Sequence, residues 1–298
     1  MYWTDSNKKL IKVKSKLEQI NNITIIGLGL LGGSIALALK EKTKATIFGI
    51  DNKPEHLQQA LSLGIIDKAS KLSEIQKSDI IVLAIPVDKI PELAFKVLNN
   101  IQQDTLVFDV GSTKHKICKT ISKHPNRSNY VAAHPIAGTE FSGPKAAFST
   151  LFKNKKNIIC DAELTAPDIL KKALQLFELL DMQTDFMESA SHDKHIAYVS
   201  HLSHISSFML GKTVMEIEKD EKNIFNMAGS GFESTVRLAK SSPETWTPIF
   251  IENKESILKS LEEYIRNLTI FKEAINNDNS KQVFQIMKET NYIKKILK

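Results

Sequence analysis

Three short runs rich in glycine, histidine and hydroxyl residues hold the side chains of this sequence that could do chemistry. Residues 23–34 read ITIIGLGLLGGS, residues 111–114 read GSTK, and residues 134–144 read HPIAGTEFSGP. The glycine turn of the first run, and the other two runs, directly follow β-branched and apolar residues, which is the pattern of a buried strand. Because ligands of open α/β sheets bind beyond the carboxyl ends of the strands, we expect the three runs to line one site.

The first run has the spacing of a dinucleotide-binding loop. Gly27 permits a sharp turn, Gly29 lets the backbone approach a pyrophosphate closely, and Gly32 lets the following helix pack against the strand. The free N–H groups and the positive dipole at the start of that helix would face the phosphates. The predicted cofactor-binding residues of the loop are Gly27, Leu28, Gly29, Leu30, Leu31 and Gly32. The alternative is a domain of the same shape that has lost its nucleotide.

Asp51 ends the second predicted strand, residues 45–50, and lies 19 positions after Gly32. A carboxylate at this place accepts hydrogen bonds from the ribose hydroxyls of NAD and repels the 2′-phosphate of NADP. Asp51 is therefore also predicted to bind the cofactor and favours NAD. Two other outcomes stay open: Asp51 can instead cap the helix that begins near Pro54, and the nearby cation of Lys53 is compatible with NADP.

His134 follows a predicted strand, residues 130–133, and is held by a turn that contains glycine. A histidine beside a nucleotide site suits a general base because its pKa lies near neutrality. On position alone, a histidine that only hydrogen-bonds its loop is an equal alternative. Ser112 either donates a hydrogen bond to a substrate hydroxyl or caps a helix that begins at Thr113, and the sequence favours the cap. Lys114 is interpreted as a solvated lysine of the first helical turn.

Four histidines and an aspartate cluster in the first predicted helix of the C-terminal third. They are His192, Asp193, His195, His201 and His204. Histidine and aspartate side chains suit a metal site, but no partner carboxylate or second His-Asp pair is evident in the sequence, so we expect no metal. We expect instead that one histidine faces a substrate cleft while the others pack or cap.

Two further residues of the C-terminal third are candidates for binding a substrate. Arg237 lies on a short predicted helix after the glycine-rich turn at residues 229–231. The planar fork of arginine suits a carboxylate, although a lone arginine is more often a surface residue. Trp246 either walls a pocket or anchors the start of a helix.

The order of predicted elements defines the fold class. Strands are predicted at 23–26, 45–50, 79–85, 105–110, 130–133, 157–160 and 182–187, with helices at 35–40, 54–63, 86–98, 115–123 and 167–180. This alternation predicts an α/β Rossmann domain with a doubly wound, mainly parallel sheet. From residue 188 onward the apolar spacing is helical, with helices at 192–219, 235–239, 248–276 and 280–297. We expect an N-terminal arm (1–20), an NAD-binding Rossmann domain (21–187) and an all-α substrate and dimerisation domain (188–298).

The last long helices carry more apolar residues than one chain needs. On the predicted helix at 248–276, one face holds Leu258, Leu261, Ile265, Leu268 and Ile275. We predict a homodimer through the C-terminal helices, and ordinary packing within one chain is the alternative.

Composition narrows the class of protein. The chain has 298 residues, 42% of them hydrophobic, which suffices for a sizeable core. The net charge of +6 is scattered and no recognisable nucleic-acid module accompanies it, so no nucleic-acid partner is expected. No run of about 18 apolar residues suggests a membrane span. Two cysteines, Cys118 and Cys160, make no disulfide framework, which fits a cytoplasmic protein.

Five blocks in order resemble the prephenate dehydrogenase family, which includes arogenate-using relatives. They are GLGLLGGS, DVGSTK, HPIAGTE-x-SG, SHDKHIAYVSHLSH and GSGFESTVRLAKSSPETW, and the similarity spans most of the chain. The resemblance implies a Rossmann domain joined to a helical dimerisation domain, with the site in the cleft between them. It also implies NAD-dependent oxidative decarboxylation of prephenate to 4-hydroxyphenylpyruvate in tyrosine biosynthesis, or the corresponding conversion of arogenate to tyrosine.

The resemblance also implies a role for individual residues. His134 looks like the catalytic base that takes the proton of the substrate's 4-hydroxyl. Ser112 looks like the serine that hydrogen-bonds both that hydroxyl and His134. Arg237 looks like the arginine that binds a substrate carboxylate. The other substrate-binding residues implied by the resemblance are His204, Thr139 and Trp246.

Three alternatives to prephenate oxidation stay open at this point. Glu233, an acid near Arg237 in the sequence, would favour the ammonium group of arogenate, although we favour prephenate. The β-hydroxyacid dehydrogenases also join a Rossmann domain to an all-α domain, but they usually use a lysine as acid and base. An NAD-binding sensor without turnover would not need the set of Ser112, His134 and Arg237.

Overall fold

One eight-stranded sheet forms the centre of the N-terminal part in the computed structural model, which describes residues 20–221 and 223–296. Its strands are β1 (Asn22–Ile26), β2 (Thr46–Ile50), β3 (Lys68–Ala69), β4 (Ile80–Leu83), β5 (Leu106–Asp109), β6 (Tyr130–Pro135), β7 (Lys156–Cys160) and β8 (Gln183–Met187). Their order is β3-β2-β1-β4-β5-β6-β7-β8, and every neighbouring pair is parallel except β6 with β7. The predicted Rossmann fold with a mainly parallel sheet is confirmed.

Helices cover both faces of the sheet and bury it. They are α1 (Leu30–Lys42), α2 (Pro54–Ser62), α3 (Ile90–Leu98), α4 (His115–Ile121) and α5 (Pro167–Leu179). Neighbouring residues of one strand enter different cores: in β5, Phe108 belongs to the core that includes residues of α1 and α5, whereas Val107 belongs to the core that includes residues of α3 and α4. Strands buried on both faces read as continuous apolar runs, which is why the sequence revealed them.

Three details of this part differ from the sequence prediction. Helix α1 begins at Leu30, not at residue 35, and takes Gly32 and Gly33 into its buried first turn. Strand β3 has two exposed residues and no apolar pattern, so it was not predicted. The antiparallel pairing of β6 with β7 rests on contacts between distant segments, which local periodicity does not report.

Helices are the regular elements that the structure describes after β8, as predicted. They include α6 (Ser189–Ile196), a π-helical segment (Ala197–His201), α7 (Leu202–Asp220), α8 (Ser230–Val236), α9 (Pro243–Glu252), α10 (Lys254–Asn276) and α11 (Ser280–Thr290). The single helix predicted at 248–276 is wrong: Pro248 lies inside α9, and a break at Asn253 separates α9 from α10. The predicted helix at 192–219 is interrupted by the π-helical segment, where the wider hydrogen-bonding pattern changes the direction of side chains.

The apolar face of α10 is largely uncovered within one chain. Leu258, Ile265, Leu268 and Ile275 are between 46 and 57% exposed. Packing within one chain, the alternative weighed against a dimer, therefore does not account for these four residues. In the part of the chain that the structure describes, no helix combines the length and apolar character that a membrane span requires. The predicted N-terminal arm, apart from Ile20, lies outside the described residues.

Candidate active site

The glycine loop forms a tight turn between β1 and α1. Gly27 has φ +94°, and a Cβ atom there would lie 2.3 Å from the carbonyl oxygen of Ala84. A Cβ at Gly32 would lie 1.9 Å from the carbonyl oxygen of Gly27, so only glycine fits either position. At Gly29, which precedes the first residue of α1, a Cβ would meet nothing within 4 Å. The loop thus leaves open space beside the first amides of α1, which lack acceptors within the helix and attract anions.

Asp51 holds this loop against the end of β2. Its Oδ2 accepts the amide N–H of Leu28 at 2.8 Å, and its Oδ1 accepts that of Lys53 at 2.9 Å. No side-chain cap precedes α2, so the alternative that Asp51 caps this helix is wrong. Carboxylate oxygens have further lone pairs, which keep Asp51 available for ribose hydroxyls. The open loop, the helix start and the carboxylate together fit a nicotinamide dinucleotide.

His134 lies near the end of β6 and is only 7% exposed. Its Nδ1 is 2.8 Å from Nε2 of His192, and the two rings meet edge to face. Burial, more than the neighbouring charges of His192 and Lys114, holds the pKa of His134 well below its ordinary value. The imidazole is therefore neutral at pH 7 and able to accept a proton.

His192 in turn binds Asp193, its neighbour on α6. His192 Nδ1 is 2.8 Å from Asp193 Oδ1. The carboxylate also accepts two amides from the start of α4, that of Lys114 at 2.7 Å and that of His115 at 2.9 Å. Burial alone would raise the pKa of Asp193, but the hydrogen bonds from His192 and these amides lower it overall. A chain of hydrogen bonds thus runs from an ionised carboxylate through His192 to His134.

Lys114 and Ser112 differ from their sequence interpretations. Lys114 is fully buried rather than solvated: its Nζ binds the carboxylate of Asp109 and donates to the carbonyl oxygen of Ala133 at 2.7 Å. Helix α4 begins at His115, with Lys114 before it, so Ser112 does not cap the helix. Among the described residues no hydrogen bond joins Ser112 to His134, and the bond implied by the resemblance stays a prediction.

A second group of side chains surrounds Trp246 on α9. His204 stacks on the indole with ring centroids 3.4 Å apart, and His201 meets the indole edge to face at 6.0 Å. His204 Nδ1 donates to the carbonyl oxygen of Ser200 at 3.0 Å. Burial lowers the pKa of His204, and the nearby charge of Arg237 lowers it further against the opposing effect of the Ser200 carbonyl. His204 thus stacks on Trp246 and lies within reach of the charge of Arg237, and the role of the three residues in binding a substrate stays a prediction.

Asn253 joins the two groups. Its side-chain nitrogen donates to the carbonyl oxygen of Asp193 at 2.7 Å and lies 3.1 Å from Nδ1 of His201. The break between α9 and α10 therefore places a polar side chain between the two groups. The sequence offered no sign of this role, because Asn253 stands inside a run that reads as one helix.

Arg237 and Thr139 are exposed. Arg237 begins a short turn after α8 and forms no ion pair within the described part of the chain. Glu233 lies 3.7 Å from Lys240 rather than against Arg237. Thr139 lies on the loop after β6, where its hydroxyl accepts the amide of Phe141 at 3.2 Å.

The cluster of histidines and acids was considered for metal binding in the sequence. Within residues 20–221 and 223–296, no group of three or more histidine, cysteine, aspartate or glutamate side chains is arranged to hold a metal ion. His192 and Asp193 instead bind each other, His134 and the start of α4. The adjacent His-Asp pair was the only signal in the sequence for this arrangement.

Comparison with known protein families identifies the family of the chain. Residues 35–184 match the family described as prephenate dehydrogenase, nucleotide-binding domain, and residues 188–289 match prephenate dehydrogenase, dimerization domain. The chain belongs to the prephenate dehydrogenase family. It is therefore a dehydrogenase with a site for a nicotinamide cofactor, and the resemblance seen in its motifs is confirmed. The β-hydroxyacid dehydrogenases are a different family.

Individual relatives agree with this assignment. The chain is 31% identical over 276 residues to a prephenate dehydrogenase of Bacillus subtilis, covering 90% of this chain and 74% of the relative. A crystal structure of prephenate dehydrogenase from A. aeolicus, in complex with hydroxyphenyl propionate and NAD+, aligns with a TM-score of 0.86 at 31% identity, covering 94% of this chain and 99% of that one. Synechocystis arogenate dehydrogenase aligns with a TM-score of 0.74 at 27% identity, covering 92% and 99%.

Proposed function

We propose that this family member oxidises and decarboxylates prephenate with NAD, giving 4-hydroxyphenylpyruvate for tyrosine biosynthesis. The observation that carries the proposal is His134, a buried and neutral imidazole at the carboxyl end of β6, on the sheet edge that also holds the glycine loop. Prephenate bears a 4-hydroxyl whose proton must leave as the ring is oxidised. A neutral histidine at this edge suits that proton transfer.

Each part of the chain has one task in the proposed reaction. Bound NAD would supply the hydride acceptor, held over the glycine loop and Asp51. His134 takes the hydroxyl proton, and Ser112 donates a hydrogen bond to the same oxygen. The carboxylate on the ring leaves as CO₂, its bonding electrons complete the aromatic ring, and the ring oxygen takes back the proton held by His134 to give the phenol.

The far end of the substrate meets the group around Trp246. Arg237, which forms no ion pair among the described residues, is assigned to a substrate carboxylate. His204, Trp246 and Thr139 line the cleft. Prephenate is preferred to arogenate because Glu233, the acid considered as a partner for an ammonium group, lies 3.7 Å from Lys240 instead.

The proposal includes the cofactor preference. Asp51 lies beside the glycine loop and would repel a 2′-phosphate. NAD is therefore proposed as the cofactor, with weaker use of NADP.

The proposal also includes the assembly. The family match of residues 188–289 is to a dimerization domain, and α10 exposes Leu258, Ile265, Leu268 and Ile275. We propose a homodimer through the C-terminal helices, an NAD-binding domain at 21–187, a helical domain at 188–298 and an N-terminal arm before them.

Initial rates of reduced-cofactor formation test the proposed function. Purified protein is mixed with prephenate or arogenate, each with NAD⁺ or NADP⁺. The highest kcat/KM is expected with prephenate and NAD⁺. Turnover with arogenate alone would keep His134 as the base and replace the substrate. Tight binding of NAD without turnover of either acid would contradict the proposal and favour a sensor.

A further inference from the structure

We propose that His192 and Asp193 are positioning residues that fix the His134 imidazole in one tautomer, with its proton on Nδ1 and its lone pair on Nε2. This inference rests on the proposed function, in which His134 is the base. It assigns a task to two side chains that the sequence placed among packing, capping or metal-binding histidines and acids.

The argument begins at Asp193. An ionised carboxylate has only acceptors. Asp193 accepts the amides of Lys114 and His115, and these donors hold the carboxyl in its ionised form at neutral pH. The Nδ1 of His192, 2.8 Å from Asp193 Oδ1, must therefore be the donor of that pair.

The donor and the acceptor of the next hydrogen bond, between His192 and His134, follow from this assignment. We take His192 to be neutral, so that with its one ring proton on Nδ1 it has a lone pair on Nε2. His192 Nε2 is thus an acceptor, and His134 Nδ1, at 2.8 Å, must donate to it. His134 is neutral because burial lowers its pKa, so its one ring proton lies on Nδ1. The nitrogen left with a lone pair is Nε2, on the opposite side of the ring from His192.

His192 and Asp193 also stabilise His134 after it has accepted a proton. When His134 accepts a proton on Nε2 it becomes a cation, and its Nδ1–H bond to His192 becomes charge-assisted. The charge of Asp193 lies beyond His192 in the same direction. Asp193 thus orients His192, and His192 orients the base His134, as a third group orients the base in other enzymes that use a base.

The position in the fold supports a role in orienting the ring. His134 belongs to β6, whereas His192 and Asp193 belong to α6, the first helix of the helical part. Asp193 is fixed to the start of α4 by two amides and, through its carbonyl oxygen, to Asn253. The base is therefore held from the helical part of the chain, and its orientation depends on the docking of α6.

A pair of variants of similar size separates orientation from packing. In His192→Gln the side-chain oxygen can still accept the Nδ1–H of His134, whereas His192→Phe fills the space without an acceptor. We expect His192→Phe to lower kcat about 100-fold and His192→Gln to stay within about tenfold of the unaltered protein. KM for prephenate and the Kd of NAD should change less than about twofold in both. His195→Gln, an exposed position on the same helix, is the matched control and should leave kcat unchanged.

The pH profile is a second readout that packing alone would not move. Apart from His192, the groups whose charges act on His134 are Lys114 at the start of α4 and His201 on the π-helical segment, and both are kept in these variants. Both variants remove the charge of His192, and only His192→Phe also removes the acceptor, which disfavours the imidazolium form of His134. The acidic limb of kcat/KM should therefore lie at lower pH in His192→Phe than in His192→Gln. Equal kcat losses in the Phe and Gln variants, or an unchanged kcat in His192→Phe, would overturn the inference.

Nitrogen-15 NMR of protein labelled at histidine tests the tautomer without turnover. The inference predicts a protonated Nδ1 and an unprotonated Nε2 for His134, and a mixture of tautomers in His192→Phe. A proton on Nε2 in the unaltered protein would refute it even if prephenate is oxidised. If the predicted tautomer is seen but no cyclohexadiene acid is turned over, the proposed function fails and the positioning of His134 stands.

Discussion

The two ends of the proposed cleft differ in how completely one chain builds them. At the His134 end the side chains are buried, and hydrogen bonds link the start of α4 through Asp193 and His192 to Nδ1 of His134. At the Arg237 end the arginine is exposed and forms no ion pair in the part of the chain that the structure describes. The His134 end is organised before a ligand binds, whereas the Arg237 end keeps a cation that can pair with a ligand.

This difference matches the tasks proposed for the two ends. Proton transfer needs a base whose orientation and protonation are set in advance. Recognition of a carboxylate needs a charge that remains available to the ligand. Changes at the buried end should therefore affect kcat or stability, and changes at the exposed end should affect KM.

The largest effect is expected for His134→Asn, which removes the base at the buried end. kcat should fall about 10³- to 10⁴-fold, because general base catalysis contributes up to that amount. The Kd of NAD, measured by quenching of tryptophan fluorescence, should stay within about twofold. A kcat within tenfold of the unaltered protein would show that another group removes the proton.

Lys114→Met tests whether the buried end is held by its ion pair. It leaves the carboxylate of Asp109 buried with Tyr130 but without its cation. The free energy of unfolding, measured with urea, should fall by about 3–5 kcal/mol. The double variant Asp109→Asn, Lys114→Met removes the unpaired charge and should recover part of the loss. An unchanged stability in the single variant would show that the pair is not structural.

Arg237→Gln tests the exposed end. Loss of charge-assisted bonds to a carboxylate should raise KM for prephenate about 10- to 100-fold and change kcat much less. Lys240→Gln is the matched control, because Lys240 lies on the same short turn but pairs with Glu233. Equal effects of the two variants would assign the loss to general surface charge and not to recognition by Arg237.

Asp51→Asn tests cofactor choice with a smaller effect. The amide oxygen can still accept the Leu28 N–H, which holds the glycine loop, whereas the bond from the Lys53 N–H is lost. Removing the negative charge should lower the preference for NAD over NADP about tenfold, measured as the ratio of kcat/KM values. A preference that does not change would place the selection elsewhere in the site.

The smallest effect is expected for the pH dependence of the unaltered protein. Because burial holds the pKa of His134 well below the ordinary 6.5, the base stays neutral as pH falls from 7.5 to 6. kcat/KM for prephenate should therefore change less than about twofold over that range and fall only in more acidic buffer. A half-maximal value at pH 6.5 or above would contradict the burial argument.

Sequence reasoning recovered what local patterns encode and missed what distant contacts create. The glycine loop, Asp51 and the central strands follow from spacing and apolar runs. Lys114 was misjudged because its partner, Asp109, lies on a buried strand, although an acid inside an apolar run is itself a sign that a cation must join it. The bond between His134 and His192 spans 58 positions, and only the folded chain brings the two residues together.

The most direct test of the central claim is the stoichiometry of the reaction with prephenate and NAD⁺. NADH is followed by absorbance while 4-hydroxyphenylpyruvate and CO₂ are quantified in the same sample. The proposed function predicts equal amounts of the three products at every time point, with formation lost in His134→Asn. NADH formation without CO₂ release, or no NADH despite NAD binding, would contradict it.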